Sequence, residues 1–401
     1  MSSTVYATLE IGTSRTVLAI GESEAGEEMK LVSFASIPST GVRKSQIIDI
    51  NQATQSVRSV IGEIERKSKA EGGSIDIANA FLVINGSHVN ATPLQSATAI
   101  SGRNVTQEDV DRVTENARQI AGATGDLASL DIAEQDYAVD NMAGILNPLG
   151  MSGRALKLNV LHLTADKNRI QDAKTAADGA HLELRDPLFA CTCAAEAVLD
   201  AHEKKNGVLV LDLGGGSTGY AVYDNEVLVD AGSIGVGGDH VTNDIVHAFS
   251  LPQSLSEVIK RRHAQATIAD DGEAGRIALS PSSSGGEERS ISRRSLSIVV
   301  NARMKELIAI IREHLEEKEL LARLHCGVVL CGGGAQLREL DTLIQEELGI
   351  PAKIGIPKRI SGLPKDESPA LYATAAGALL AARAAYPEEH SFFDTLKGIF
   401  K

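Results

Sequence analysis

Two glycine-rich segments, each following a carboxylate, are the parts of this sequence whose residue types and spacing could do chemistry. Residues 9–15 read LEIGTSR, and residues 211–218 read LDLGGGST. Backbone amides in such turns can bind an anion, and glycine lets the anion approach the backbone closely. The hydroxyl groups add donors for phosphate oxygens, and the carboxylates of Glu10 and Asp212 can hold Mg²⁺ through its water ligands. The pattern therefore predicts a phosphate site with a divalent cation.

A third glycine run ends another apolar stretch, at residues 329–335, which read VLCGGGA. Glycines at such a strand-to-helix turn let the backbone pack flat against a base or a sugar. Each of the three motifs alone is more often an ordinary tight turn. The sequence contains no G-x-x-x-x-G-K-[ST] loop and no convincing G-x-G-x-x-G turn, so the other common nucleotide folds have no support.

The elements around these motifs repeat. Strands are predicted at 5–11 and 15–21 around the first turn, and at 207–213, 219–223 and 226–231 around the second. A strand, a turn of small residues and a second strand thus occur in both halves of the chain. This repetition predicts an α/β protein with two lobes of related topology, as a chain of 401 residues also suggests.

The remaining pattern alternates strands with helices. Further strands are predicted at 28–37, 78–85, 155–165 and 327–331. Helices are predicted at 50–70, 105–120, 168–180, 298–323, from about 336, and at 370–385. The polar segment 264–295, rich in Ser, Gly and charge, is predicted to be a loop with short strands.

Composition excludes several classes of protein. Hydrophobic residues make up 43% and charged residues 23%, which is enough for packed cores. The formal net charge of -14 disfavours a nucleic-acid partner, since phosphate would be repelled. The four cysteines have no zinc or redox spacing, and no apolar run reaches the ~18 residues of a membrane span.

Taken together, the three glycine motifs resemble the phosphate-1, phosphate-2 and adenosine motifs of the actin, Hsp70 and sugar-kinase superfamily. The resemblance implies an actin-like two-lobed fold that holds ATP and Mg²⁺ between its lobes. It assigns the phosphates to one set of residues: Gly12, Thr13, Ser14, Gly214, Gly215, Gly216, Ser217 and Thr218. It assigns the nucleoside to another set: Gly332, Gly333, Gly334, Glu257 and Lys260. For Lys260 the alternative is a solvated basic helix.

The resemblance implies that the carboxylates of Asp212 and Glu10 act on Mg²⁺ and its water ligands. The superfamily carries Asp where this chain has Glu10, and the extra methylene moves the carboxylate about one bond length further into the cleft. We therefore expect binding with at most weak ATPase activity. The superfamily places the residue that orients the attacking water on the segment between the lobes, where Asp186 and Glu196 are both candidates. A solvated or helix-capping role is the alternative for either.

Other runs are similar to those of the FtsA family of bacterial cell-division proteins. These are VTQEDV at 105–110, QDYAVD at 135–140, GILNPLGMSG at 144–153, VTNDI at 241–245, IKRRH at 259–263 and LYATAAG at 371–377. The similarity covers nearly the whole chain. It implies an extra subdomain, 1C, at 81–162. It places subdomain 1A at 1–80, 163–200 and 365–385, 2A at 201–235 and 302–364, and 2B at 236–301.

The last residues are predicted to form a C-terminal amphipathic helix after a linker, within 386–401. Phe392, Phe393, Leu396, Ile399 and Phe400 share one face of it. The pattern alone fits a membrane-surface anchor or a helix docked on its own domain, and the family resemblance favours the anchor.

The resemblance implies a scaffold that polymerises on the cytoplasmic side of the inner membrane at the division ring. It would tether the C-terminal peptide of FtsZ through subdomain 2B and recruit later division proteins through 1C. A basic set in 2B could suit an acidic peptide: Arg261, Arg262, Arg289, Arg293 and Arg294. The alternatives are a small-molecule kinase or phosphatase of the same fold, and an actin-like adaptor of pilus or secretion machinery.

Overall fold

The computed structural model describes residues 3–24, 27–70, 72–73, 75, 77–122, 125–268, 275–279, 290–365 and 368–386. The predicted tail helix at 391–401 lies outside the described residues, and so does half of the predicted polar loop, at 269–274 and 280–289. Within the described ranges the chain forms nineteen strands and ten α-helices. None of the helices there is both long enough and apolar enough to cross a bilayer.

The strands alternate with helices along most of the chain. The strands are β1 (Thr4–Ile11), β2 (Arg15–Ser23), β3 (Met29–Pro38), β4 (Val42–Arg43), β5 (Gln46–Ile47), β6 (Asn79–Ile84), β7 (Asn90–Ala99), β8 (Leu127–Val139), β9 (Met142–Ile145), β10 (Ala155–Asp166), β11 (Glu183–Phe189), β12 (Val208–Leu213), β13 (Thr218–Asp224), β14 (Val227–Ile234), β15 (Arg276–Ala278), β16 (Ser290–Ser292), β17 (Val328–Cys331), β18 (Ala352–Ile354) and β19 (Ile360–Ser361). The helices are α1 (Ile50–Ala70), α2 (Gln107–Gly122), α3 (Lys167–Asp178), α4 (Ala190–Val198), α5 (Ala201–Lys205), α6 (Gly238–Phe249), α7 (Gln253–His263), α8 (Arg293–Glu317), α9 (Leu340–Leu348) and α10 (Ala373–Ala385).

Two sheets organise the molecule. The first has six strands in the order β11-β6-β1-β2-β3-β19, and the second has nine in the order β18-β17-β12-β13-β14-β7-β10-β8-β9. Each contains an antiparallel hairpin between other strands, β1–β2 in one and β12–β13 in the other. The predicted echo between the two halves of the chain is therefore present in the structure.

Burial of apolar faces explains these elements. All six residues of β12 are buried, as expected for a strand covered on both sides. In α1 the buried residues include Ala53, Val57, Val60 and Ile64, which recur at helical spacing along one face. Helices α4 and α10 pack on one another; α10 also contacts the first sheet and α4 the second. The two sheets thus share a helical layer.

The inserted segment between β6 and α3 forms the far part of the second sheet. Strands β7, β10, β8 and β9 are antiparallel neighbours, and α2 packs on them around a separate small core. Strand β7 pairs with β14 through Asn90 and Gly232, and Gln135 Nε2 of β8 donates to the Leu228 carbonyl of β14 at 3.2 Å. The insertion therefore continues the second sheet.

Several predicted boundaries are corrected by the structure. The long helix predicted at 298–323 is α8, which begins at Arg293 because Ser292 caps it, accepting a hydrogen bond from the Ser295 amide at 3.4 Å. The helix predicted near 336 begins at Leu340, because Gly333–Gln336 form a 3-10 turn.

Three elements cross or adjoin the subdomain borders that the sequence predicts. The border predicted at 301/302 falls inside α8. Strand β6, which includes residues 81–84, lies within the first sheet rather than in 1C. Strand β19 at 360–361 also belongs to the first sheet, by parallel pairing with β3.

Candidate functional site

The two predicted glycine turns have matching backbone geometry. The Gly12 amide donates to the Arg15 carbonyl at 3.0 Å, and the Gly214 amide donates to the Ser217 carbonyl at 3.0 Å. Inside these turns, the amides of Thr13, Ser14, Gly215 and Gly216 have no hydrogen-bond partner among the described residues. Unpaired amides grouped at a turn form a concave anion site. Both turns can therefore bind anionic oxygens.

Helix α6 sets the direction of the amides in the second turn. Its first amides, those of Gly238 and Asp239, donate to the carbonyls of Gly214 and Gly215 at 3.0 and 2.8 Å. In a trans peptide the carbonyl oxygen and the next amide point in opposite directions. The amides of Gly215 and Gly216 consequently point away from α6.

The tips of the two hairpins touch one another. A β-carbon placed on Gly216 would lie 2.4 Å from Thr13 Oγ1, and one on Gly215 would lie 2.8 Å from Ser14 Cβ. No real side chain tolerates such distances without displacement of the opposite loop. Glycine is therefore required at both positions for the hairpins to meet.

Glu10 and Asp212 lie beside these tips in the same cleft. Burial first, and the Asp212 charge second, together raise the pKa of Glu10 to about 8. Burial also raises the pKa of Asp212 to about 6, against a hydrogen bond of 3.3 Å from Thr374 Oγ1 that lowers it. The raised pKa values mean that this site disfavours ionised carboxylates. A bound cation would favour the ionised forms instead, so the pair is suited to hold one.

The donor set fits Mg²⁺ that keeps most of its water. No group of three or more His, Cys, Asp or Glu side chains in the described ranges could hold a metal directly. Mg²⁺ is commonly held by one or two carboxylates, with water and phosphate oxygens completing the shell. The Glu10 and Asp212 pair meets that requirement.

The third glycine motif is built differently from the expectation. Gly332 has φ +79°, and a β-carbon there would lie 2.5 Å from Asp212 Oδ1; one on Gly334 would lie 2.6 Å from Leu213 Cβ. Both glycines therefore pack on the second hairpin. A β-carbon on Gly333 would meet only Leu371, at 3.8 Å, so Gly333 is the glycine of the three that is open to the cleft.

Lys260 and Glu257 form an ion pair with each other rather than two unpaired groups in the cleft. Lys260 Nζ lies 2.9 Å from the Gly238 carbonyl, 2.8 Å from Thr242 Oγ1 and 2.7 Å from Glu257 Oε2. These contacts use all three ammonium donors, so Lys260 holds α7 against the start of α6. Glu257 makes its contacts with Lys260 and Thr242 through Oε2, and both residues line the cleft.

Three further predicted residues have other roles. Thr218 Oγ1 donates to the Val236 carbonyl at 2.8 Å, so its hydroxyl is committed to the fold. Neither Asp186 nor Glu196 lines the cleft. Glu196 instead pairs with Lys204 at 2.7 Å and Arg359 at 2.9 Å, and Asp186 accepts a hydrogen bond from Tyr386 Oη. Both acids thus make their contacts outside the cleft lining, and a role for either in orienting water stays a prediction.

Residues that the sequence reasoning missed also line the cleft. They include Ser45, Asn85, His88, Arg169 and Asp239. Asp239 follows the glycine pair at 237–238 and could have been suspected, because it is an acid in the first turn of α6. Ser45 carried no signal, since its Lys-Ser turn lacks the Gly or Asn that marks a tight hairpin. The complete cleft has a volume of about 350 Å³.

Family models match two parts of the chain. A model described as cell division protein FtsA matches residues 209–377, and one described as an SHS2 domain inserted in FtsA matches residues 86–164. The second match coincides with the inserted strands β7–β10 and helix α2.

Curated relatives match over nearly the whole length. The cell division protein FtsA of Pseudomonas aeruginosa is 31% identical over 372 residues, covering 93% of this chain and 88% of the relative. That of Escherichia coli is 30% identical over 378 residues, covering 92% and 88%. That of Borreliella burgdorferi is 27% identical, covering 100% and 94%.

Solved structures share the actin-like fold. A PilM–PilN type IV pilus biogenesis complex aligns with a TM-score of 0.64 at 17% identity, covering 94% of this chain and 98% of the other. MreB5 of Spiroplasma citri bound to ADP aligns with a TM-score of 0.52 at 15% identity, covering 95% and 97%. The same protein bound to AMPPNP gives 0.54 at 15% identity, covering 96% and 98%. At these identities the likeness concerns the fold.

Proposed function

Because the chain belongs to the FtsA family of cell-division proteins, we propose that it binds ATP in this cleft and polymerises on the inner face of the cytoplasmic membrane. In that role it tethers FtsZ and helps to recruit later division proteins. Its work is primarily that of a scaffold, with ATP hydrolysis at most slow.

The unpaired amides of the two facing turns carry the nucleotide part of this proposal. Thr13 and Ser14 on one side, and Gly215 and Gly216 on the other, offer donors across the line where the hairpins meet. Polyphosphate oxygens are the ligands that such paired turns suit. Gly333 and Glu257 lie in the same cleft and are the residues we assign to the nucleoside.

Asp212 and Glu10 are the residues that would hold Mg²⁺ through water. The cation would supply charge neutralisation for the phosphates. Glu10 has a longer side chain than the Asp usual at this position of the superfamily, and neither Glu196 nor Asp186 reaches the cleft. These features favour a nucleotide-dependent assembly switch over a rapid ATPase.

The membrane part rests on the tail predicted from sequence. Burying one Phe or Leu side chain contributes about 1.5–3 kcal/mol, before the cost of ordering the helix. A single eleven-residue helix therefore binds lipid weakly and reversibly. A filament presents many tails at once, and avidity makes the attachment firm. ATP-dependent assembly would thereby control residence on the membrane.

Exposed apolar residues on the insertion support partner binding there. Met142 is 61% exposed and Leu146 64%, next to the unpaired edge of β9. We assign this face of 1C to contacts with later division proteins or with the next subunit of a filament. For FtsZ we assign subdomain 2B, where Arg293 and Arg294 open α8.

Liposome co-sedimentation tests the proposal. The full chain should pellet with anionic vesicles in Mg·ATP and much less with Mg²⁺ alone. The double variant I399S/F400S removes apolar area without changing charge, and it should stay in the supernatant. Thr395→Ser on the polar face is the matched control and should pellet normally. Equal pelleting of the full chain with and without ATP would contradict nucleotide control. Equal pelleting of the double variant would contradict the anchor.

Electron microscopy on lipid monolayers separates the alternatives. Filaments in ATP that bind the C-terminal peptide of FtsZ support the scaffold. Turnover of a sugar or acid substrate without filaments supports a kinase or phosphatase of the same fold. Binding of a pilus or secretion component, without filaments and without turnover, supports the adaptor alternative, whose fold is shared with the PilM–PilN complex.

A further inference from the structure

A short hairpin that carries none of the glycine motifs reaches the tips of both phosphate turns. Strands β4 and β5 pair as Val42 with Ile47 and Arg43 with Gln46, which leaves a two-residue turn. Both turn residues are left-handed, Lys44 with φ 51° and Ser45 with φ 57°. Such a turn normally uses Gly or Asn, since other residues pay a steric cost there. The turn therefore carries side chains at two positions where the backbone conformation favours Gly or Asn.

Ser45 touches hydroxyl groups on both turns. Its amide donates to Thr13 Oγ1 at 2.7 Å. Its hydroxyl lies 3.0 Å from Ser217 Oγ and 3.4 Å from Thr13 Oγ1. Lys44 and Ser45 also enclose Gly216, because a β-carbon there would lie 3.0 Å from Lys44 Cα and 3.1 Å from the Ser45 nitrogen. Ser45 therefore bridges the first hairpin to the second at their tips.

The same residue contacts the entry to the insertion. Gly86, with φ +132°, follows β6, and a β-carbon on it would lie 2.9 Å from Ser45 Cβ. The match to the inserted SHS2 domain begins at residue 86. Ser45 thus lies where the two hairpins and the inserted domain converge, and it is part of the cleft wall.

We propose that the Ser45 hydroxyl binds the terminal phosphate of a nucleoside triphosphate and so distinguishes it from a diphosphate. This inference rests on the proposed binding of ATP in the cleft. A nucleotide whose base lies near Gly333 extends its phosphates toward the hairpin tips, and the last phosphate is the group that reaches Ser45. The hydrogen bond from the Ser45 amide to Thr13 Oγ1 fixes the backbone of Ser45. Its hydroxyl can therefore leave the Ser217 hydroxyl and bind a charged phosphate oxygen instead. A charged acceptor gives the stronger hydrogen bond.

Two substitutions at this turn separate phosphate binding from a structural role. Ser45→Gly removes the hydroxyl and relieves the left-handed conformation, so the turn still folds. Lys44→Gly is the matched control: it relieves the same conformation in the neighbouring residue, whose side chain is exposed. The dissociation constants of a non-hydrolysable ATP analogue and of ADP are measured for both variants in Mg²⁺ by titration calorimetry.

We expect Ser45→Gly to bind the ATP analogue about tenfold more weakly, the range for loss of a hydrogen bond to a charged group. Its affinity for ADP should change less than about twofold, and Lys44→Gly should keep both affinities. Equal weakening for both nucleotides would make Ser45 a structural latch and overturn this inference alone. No change for either nucleotide would also overturn it. A wild-type chain that binds neither nucleotide overturns the proposed function as well.

Discussion

Glu10, on the first sheet, and Asp212, on the second, face the same cleft, where burial first and the Asp212 charge second raise the pKa of Glu10. The two acids end the central strands that lead into the two hairpin turns. The effect of the Asp212 charge on Glu10 is consistent with two carboxyl groups that face the same cleft.

The pH dependence of stability should report the state of Glu10. A glutamate of the unfolded chain loses its proton near pH 4.5, whereas folded Glu10 keeps its proton to about pH 8. The folded state therefore binds more protons between these values, and its stability falls as the pH rises through them, by at most about 1.4 kcal/mol per pH unit. Glu10→Gln should make the free energy of unfolding depend less on pH between pH 5 and 8, as measured by urea denaturation in EDTA.

Glu196→Gln is the matched control for that experiment, because Glu196 is paired with Lys204 and Arg359 outside the cleft. Its slope should follow the wild-type slope over the same pH range. A Glu10→Gln protein with the wild-type slope would show that Glu10 is charged in the folded state and would contradict the prediction.

Asp212→Asn should remove the effect of Mg²⁺ on nucleotide affinity. The substitution keeps the size of the side chain and the contact to Thr374 but removes the charge that would hold the water shell of the cation. We expect ATP to bind about tenfold more weakly than in the wild type with Mg²⁺, and equally in EDTA. Fluorescence titration with a labelled ATP in both conditions measures this. A variant that still binds more tightly with Mg²⁺ would move the cation site elsewhere.

Gly216→Ala should separate the hairpins. The new methyl group would lie 2.4 Å from Thr13 Oγ1, so the two loops must move apart. Overpacking of this kind costs about 1–3 kcal/mol, which corresponds to roughly tenfold weaker ATP binding. Gly62→Ala is the control, because a β-carbon there meets nothing within 4 Å. Unchanged affinity in the Gly216 variant would mean that the hairpins bind phosphate without touching.

The stability of the insertion should depend on a buried acid. Asp109 is fully buried and accepts hydrogen bonds from the amides of Ser101 and Thr106 at 3.1 and 3.0 Å and from both hydroxyls, and Arg112 pairs with it. The bonds from Thr106 and Ser101 lower the pKa of Asp109 below its usual range. This contribution to stability is present above pH 3.8 and is lost as the pH falls toward the lowered pKa.

Asp109→Asn should therefore loosen residues 86–164 locally. We expect a denaturation midpoint lower by about 5 °C and faster hydrogen exchange in α2 and β7. ATP affinity should stay unchanged, because Asp109 is remote from the cleft lining. The control is Asp111→Asn, two residues further along α2, where Asp111 accepts a hydrogen bond from Gln107. Protection of the insertion equal to that of the wild type would refute the prediction.

Local patterns in the sequence determined the elements and the two phosphate turns. Strand β1, its turn and β2 lie within twenty residues, and so do β12 and β13, so glycine, hydroxyl and alternating apolar residues identify them directly. Helix α1 follows from the spacing of its apolar residues. The runs at 105–153 also predicted the inserted subdomain, which the SHS2 match confirms. In each case the residues that decide the structure are neighbours in the chain.

The tertiary structure alone decided which polar groups meet in the cleft. Ser45 reaches Ser217 across 172 positions, and no local pattern encodes that contact. Glu196 was one of two candidates for orienting water in the cleft, and the structure pairs it with Arg359, far along the chain. Lys260 was assigned to the nucleotide, yet Gly238, Thr242 and Glu257 take up its three donors. A side chain's charge is written in the sequence, whereas its partner depends on how distant segments pack.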